Sequence, residues 1–296
     1  MIGLGRAGLW TRQLDKQPGA VAQDTVAELE SLGYSTVWIP EASEREVISH
    51  ATLLLAGTQS IVIATGIARV HVRSPQATAL AQRFLAQRFP GRFLLGLGVS
   101  HPPVVERMLG QVYGPPLATM RNYLDAMDAT TGGTPVDAST APTVLAALGP
   151  KMLALAGERA GGAHSFLAPV AHTASARDLL GPDPLLAPAI KAVLTDDRAA
   201  GTAIARGSVQ PTSGLPAYRG NLLRSGFTED DLSGGLSDRL VDALVAVGDV
   251  DAIVARVREH LDAGADHVCV EVLTGDDTTV PLDAWCRLAP ALTELG

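Results

Sequence analysis

Short apolar runs alternate along the chain with segments whose apolar residues recur every three or four positions. This rhythm predicts a repeated strand–helix unit. A Gly-rich stretch ending near Trp10 reads as the first strand, and VAQDTVAELESLG puts Ala22, Val26 and Leu29 on one helical face, with Gly33 as its stop. STVWIPE reads as a buried strand, EVISHATLLLAG as a helix and SIVIATGIARV as a β-branched strand. SPQATALAQRFLAQRFPG is a marked helix, with Ser74 as N-cap, Pro75 at the first helical position and Pro90-Gly91 past its end. RFLLGLGVS is the fourth strand, and PLATMRNYLDAMDA carries Leu117, Met120, Leu124 and Met127 at helical spacing. TVLAALG and PKMLALAGERAG follow as strand and helix, and GAHSFLA and AIKAVLT as strands six and seven. DVDAIVARVREHLDAGAD is a helix capped by Asp249, and HVCVEVL is the last strand.

The strands are continuously apolar rather than alternating, which suits a parallel sheet covered by helices. Eight such units in one domain spanning residues 1–296 predict a (β/α)8 TIM barrel, with a doubly wound open sheet as the alternative. The rhythm breaks from about Gly201 to Ser237, which in a barrel would form an extended loop region after strand seven, on the active-site face. The opening Gly3-Leu4-Gly5-Arg6-Ala7-Gly8 spells the dinucleotide-binding fingerprint, but only two residues precede it and no helical period follows. It reads as coincidence.

A net charge of −8 argues against a nucleic-acid or anionic-membrane surface, so an anionic ligand needs local help from amides or a few arginines. Cys269, inside an apolar run, reads as core, and Cys269 and Cys286 make no disulfide framework. No stretch resembles a signal peptide or is long enough to cross a bilayer, and the expected location is cytoplasmic. The seven histidines never fall in paired-ligand spacing, so no metal is expected.

In a barrel the strand ends carry function. Glu41 follows the second strand, where a solvated loop acid is the bland reading. Gly66 interrupts the third strand, as glycines do at bulges or where backbone approaches a ligand. His101 follows the glycines of the fourth strand, and Gly149-Pro150 opens a helix directly after the fifth, leaving amides that suit a phosphate.

LGYSTVWIPEA, SIVIATGIARVHVRSP, FPGRFLLGLGVSHPPVVE, PTVLAALGPKMLALAGERAGGAH and VREHLDAGADHVCVEV, in this order, resemble the luciferase-like oxidoreductases, in particular their coenzyme F420-dependent branch, common in actinobacteria. The resemblance implies a (β/α)8 barrel and usually a homodimer. It also implies a deazaflavin ring held against a bulge at Thr65, Gly66 and Ile67, with a non-proline cis peptide joining Gly66 to Ile67. Glu41 matches the family's acid near the ring, Val99, Ser100 and His101 the loop touching cofactor and substrate, and Leu148 and Gly149 the phosphate-binding amides. In the family's sugar-phosphate dehydrogenase a histidine follows the strand-two acid and a glutamate follows strand four. Here Ala42 and His101 stand there, so glucose 6-phosphate is not the expected substrate.

The expected activity is hydride transfer between F420 and a small organic substrate, with reduction by F420H2 the favoured direction. His101 is the expected proton donor or substrate polariser, and Glu41 is expected to orient the cofactor. Trp10, His164, Tyr218, Arg219 and Asn221 are candidate substrate contacts, from their placement at strand ends or in the long loop. An FMN-dependent monooxygenase and a non-catalytic flavin-binding protein are the rival readings.

Overall fold

The computed structural model describes residues 2–42, 44–132 and 141–295. Its strands are β1 (Ala7–Trp10), β2 (Thr36–Ile39), β3 (Val62–Thr65), β4 (Ala68–Arg69), β5 (Phe93–Gly98), β6 (Thr143–Ala146), β7 (Gly162–His164), β8 (Leu185–Leu186), β9 (Ala189–Leu194), β10 (Val245–Gly248) and β11 (Val268–Val272). All their pairings are parallel. The hydrogen-bonded order is β10-β9-β11-β1-β2-β3-β5-β6-β7-β8, with β4 against β5.

This sheet closes on itself. β8 and β9 are two halves of one extended segment: the Ala187 and Ala189 amides donate to Ala163 and Ser165 at 2.9 and 2.7 Å, while the Cys269 amide donates to Pro188 at 2.9 Å. One segment therefore joins both ends of the sheet, and the open-sheet alternative is excluded. The glycine fingerprint proves accidental, since β1 begins inside it and the first α-helix opens only at Gly19.

The barrel interior is filled by Trp10, Trp38, Ala64, Leu94, Val144, Ala187, Ala189 and Cys269, with the Cys269 thiol buried as expected. Polar groups inside it are paired along a line. His267 donates from Nδ1 to the Gly5 carbonyl at 2.9 Å, which leaves Nε2 to accept from Trp38 Nε1 at 3.1 Å. The Trp38 ring in turn stacks on His164, 4.5 Å away and 9° from parallel. The helices pack their apolar faces outside the sheet, and the expected caps form: Ser74 accepts from Ala77 and Asp249 from Ala252.

Two expectations fail. The region from Gly201 to Ser237 is not an extended loop but a helical excursion, made of Arg198–Ser213, Pro216–Arg224, Glu229–Leu232 and the start of Asp238–Leu244. Its first helix is built from small residues that let it approach the sheet. A Cβ on Gly201 would lie 2.5 Å from Val247, so the periodic large apolar residues that mark a helix are missing. β10 was also not foreseen, because VAVG is four residues squeezed between helices Asp238–Leu244 and Val250–Asp262. The predicted third strand divides into β3 and β4 around a cis peptide bond joining Gly66 to Ile67.

β5 makes room for that division. A Cβ on Gly96 would stand 2.0 Å from the Thr65 carbonyl oxygen, and one on Gly98 would stand 2.6 Å from Ile67 Cδ1. The first obstacle is backbone, and the second is the Ile67 side chain, with Ala146 Cβ at 3.1 Å beside it. Gly96→Ala is therefore expected to cost about 3 kcal/mol or more and Gly98→Ala about 1 kcal/mol, a ranking that urea denaturation of the two variants would check.

Acid stability follows from four buried histidines. Burial lowers His164, His172 and His267 to about 4 and His260 to about 3. Between these values and 6.5 the unfolded chain binds protons that the native state refuses. Stability should thus fall as pH drops from 6.5 toward 4, by up to about 1.4 kcal/mol per pH unit for each histidine. Thermal unfolding midpoints at pH 7, 6, 5 and 4 would measure it.

Candidate active site

The floor of the barrel mouth is the turn between β3 and β4. Thr65 replaces the interrupted ladder with its side chain: its hydroxyl donates to the Gly96 carbonyl and accepts from the Gly96 amide, both at 2.8 Å. The Gly66 carbonyl accepts from Trp10 Nε1 at 2.9 Å, and the Gly66 amide donates to Ile39 at 2.8 Å. A Cβ on Gly66 would lie 2.5 Å from Trp10 Nε1 and 3.3 Å from His164 Nε2. His164 therefore approaches the floor from inside the barrel. Its Nδ1 is bonded to the Ala187 carbonyl at 2.8 Å and its Nε2 has no hydrogen-bond partner among the described residues.

Glu41, buried at the end of β2, is committed to holding this turn. Its amide donates to the Ile67 carbonyl at 3.1 Å, and its carboxylate accepts from the amides of Arg69 at 2.7 Å and Val47 at 3.4 Å. Arg73 completes the group, donating to Glu41 Oε2 at 3.1 Å and bonding Oε1 as well. Arg73 was not singled out from the sequence, although it lies in HVRSP, immediately before the helix cap.

After β5, Val99 and Ser100 lead into the loop, Ser100 with a φ of 59° and its carbonyl bonded by the Tyr113 hydroxyl at 3.2 Å. His101 is half-buried, with its ring 5.3 Å from that of Tyr218. Burial, and then the Arg69 guanidinium, push the imidazole below its ordinary pKa, so it is neutral at pH 7. Burial and the nearby Glu271 raise the Tyr218 phenol, which stays protonated.

After β6, Gly149 is the N-cap of helix Pro150–Arg159, and no side chain caps it. A Cβ there would meet nothing within 4 Å, so the space beside the helix start is open. Arg224 donates to the Leu148 carbonyl at 3.3 Å, setting a cation beside the helix start.

The rim opposite β3 holds a charged group that the sequence reading passed over. Lys191 Nζ on β9 lies 3.1 Å from Glu271 Oε2 on β11, and Arg12 Nε lies 3.6 Å from Glu271 Oε1. The ammonium also lies 5.5 Å from the centre of the Phe166 ring, which packs 4.9 Å from Trp10. The available signal was a single charge inside each of two apolar strands, AIKAVLT and HVCVEVL.

Two candidates are not brought to the mouth. Arg219 is on the surface, ion-paired with Glu229. Asn221 is buried beside His172 rather than at the rim. Both lie in helix Pro216–Arg224, which turns only Tyr218, among the three candidates, toward His101.

Residues 6–267 match the family model of the luciferase-like monooxygenases. A stretch of 120 residues is 34% identical to a Mycobacterium tuberculosis protein named as a coenzyme F420-dependent oxidoreductase, covering 40% of this chain and 35% of that one. A 5,10-methylenetetrahydromethanopterin reductase of Methanolobus tindarius is 28% identical over 281 residues, covering 81% of this chain and 86% of the relative. Among solved structures, an F420-dependent secondary alcohol dehydrogenase in complex with an F420-acetone adduct superposes with a TM-score of 0.75 at 16% identity, covering 98% and 99% of the two chains. With the family model extending from the residue before β1 to the residue before β11, the chain belongs to the luciferase-like monooxygenase family.

Proposed function

We propose that this protein is a coenzyme F420-dependent oxidoreductase that reduces a small organic substrate. The observation that carries the reading is the pairing, on one end of the barrel, of a side-chain-free floor at Gly66 with an uncapped helix start at Gly149. A flat ring needs the first and a phosphate needs the second. The name of the Mycobacterium tuberculosis relative supports F420 over FMN.

The residues present fit such a cofactor. Gly66 and Ile67 would take the ring, with Trp10 fixing the Gly66 carbonyl, and the amides after Leu148 together with Arg224 would take the phosphate. When bound, the deazaflavin supplies a hydride donor at C5. The chain's own work is to exclude water and to polarise the acceptor. His101, neutral at pH 7, does this by donating an N–H hydrogen bond rather than by acting as a cationic acid. The Tyr218 hydroxyl is a second donor at the same place. Glu41 and Arg73 act through the turn that they hold and are positioning residues.

Titrating the protein with F420 and, separately, FMN while following tryptophan fluorescence tests the cofactor. Tighter binding of F420, by about tenfold or more, is expected, and preference for FMN would move the protein to the monooxygenase reading. His101→Ala should lower turnover of unsaturated carbonyl compounds with F420H2 by roughly 100-fold without changing F420 affinity. Unaltered turnover would remove His101 from the chemistry.

A further inference from the structure

Lys191 is 2% exposed and Glu271 1% exposed, deep enough that each polar atom needs a partner. The carboxylate has two cations: Lys191 at 3.1 Å and Arg12 at 3.6 Å. The ammonium is differently placed. Its contact with Glu271 has the distance of an ion pair but not the alignment of a hydrogen bond, since Glu271 Oε2 has no hydrogen-bond partner among the described residues. Phe166, the other neighbour of Nζ, offers only the face of its ring. The ammonium therefore has a counter-ion and a ring face beside it but no aligned hydrogen-bond acceptor among the described residues.

The chain carries −8 overall, yet Lys191 and Arg12 share the single buried carboxylate of Glu271, and the second acid on Arg12, Asp277, is exposed. Arg69, on β4 near His101, donates its amide to Glu41 at 2.7 Å, and the same carboxylate, paired with Arg73, acts on its guanidinium. Lys191 and Arg12 thus meet on one buried carboxylate in a mouth walled by Trp10, Phe166 and Tyr218.

We infer that Lys191, steadied by Glu271, binds the carboxylate of a small organic-acid substrate at the rim of the barrel. The inference deepens the oxidoreductase reading by naming a substrate class, and it rests on that reading only for the word substrate. A carboxylate supplies what the ammonium lacks: acceptor oxygens and a second negative charge for two cations. Seated at Lys191, its carbon chain lies along Phe166 and Trp10, toward the floor at Gly66.

Crotonate and crotonamide, equal in shape and different in charge, test this on the purified protein without cofactor. Trp10 reports the binding, because it packs against Phe166, whose ring lies beside the Lys191 ammonium. Crotonate should bind about tenfold or more tightly than crotonamide, as expected for a charge-assisted hydrogen bond. Lys191→Met should abolish the preference, and Glu271→Gln, which removes the competing carboxylate, should strengthen crotonate binding. Equal binding of the two compounds by the native protein overturns the inference whether or not the variants fold. So does undiminished crotonate preference in Lys191→Met. Adding F420 separates the two readings. Crotonate bound together with F420 supports a substrate subsite, and its displacement by F420 assigns Lys191 to the cofactor and overturns it. If F420 fails to bind while crotonate preference persists, the cofactor reading fails and the anion subsite stands.

Discussion

The mouth of this barrel depends on one backbone turn, Thr65-Gly66-Ile67, and on the groups that hold it. The Gly66 amide and carbonyl, the Ile67 carbonyl and the Thr65 hydroxyl are met from different directions: Trp10 from β1, Ile39 on β2 and Glu41 just after it, and Gly96 from β5. A turn left to itself would expose these groups to whatever ligand or solvent arrived. Held this way, it presents a fixed surface without a side chain, and the cost of ordering that surface is met during folding rather than during binding. The steric demand is transmitted to β5, where Gly96 and Gly98 leave the space that Thr65 and Ile67 occupy.

Charge is arranged around this turn by the same logic. Burying a carboxylate is unfavourable unless its lone pairs are met, and Glu41 meets that condition with two backbone amides and Arg73. It is therefore a strut, although its position at a strand end suggested direct contact with a ligand. The reverse holds on the opposite rim. Lys191 has a counter-charge but no aligned acceptor among the described residues. Two acids at equivalent strand ends thus differ in kind, one satisfied by the fold and one shared between cations that want more negative charge.

Most of the architecture was legible because strands in a closed parallel sheet are buried on both faces and announce themselves as unbroken apolar runs. The same property hid Lys191 and Glu271: a lone charge within such a run looks like noise until the closure of the barrel shows that alternate residues point into the mouth. Glycine was informative wherever close approach forced it, as at Gly66. It misled where it served packing, as in the Gly- and Ala-rich helix Arg198–Ser213, read as irregular because its tight contact with Val247 excludes large apolar residues. Arg219, one residue beyond Tyr218, emerges on another face of the helix, while Asn221, three residues beyond, shares the buried side but lies a turn further along, beside His172. An assumed loop concealed that difference.

The helical excursion after β9 has a consequence for chemistry that a loop would not. Tyr218 reaches His101 from helix Pro216–Arg224, and Arg224, six residues later in chain order, reaches the start of helix Pro150–Arg159. One short rigid element therefore touches both the place where a substrate would be polarised and the place where a phosphate would be held. A side chain on a helix is confined by its neighbours in the preceding turn, so the distance between these two contacts is set by helix geometry rather than by loop conformation. The spacing between His101 and the start of helix Pro150–Arg159 is in this way tied to secondary structure. Substitutions on the faces of that helix carrying Arg219 and Asn221 can act on the site through its orientation, with no contact to either ligand.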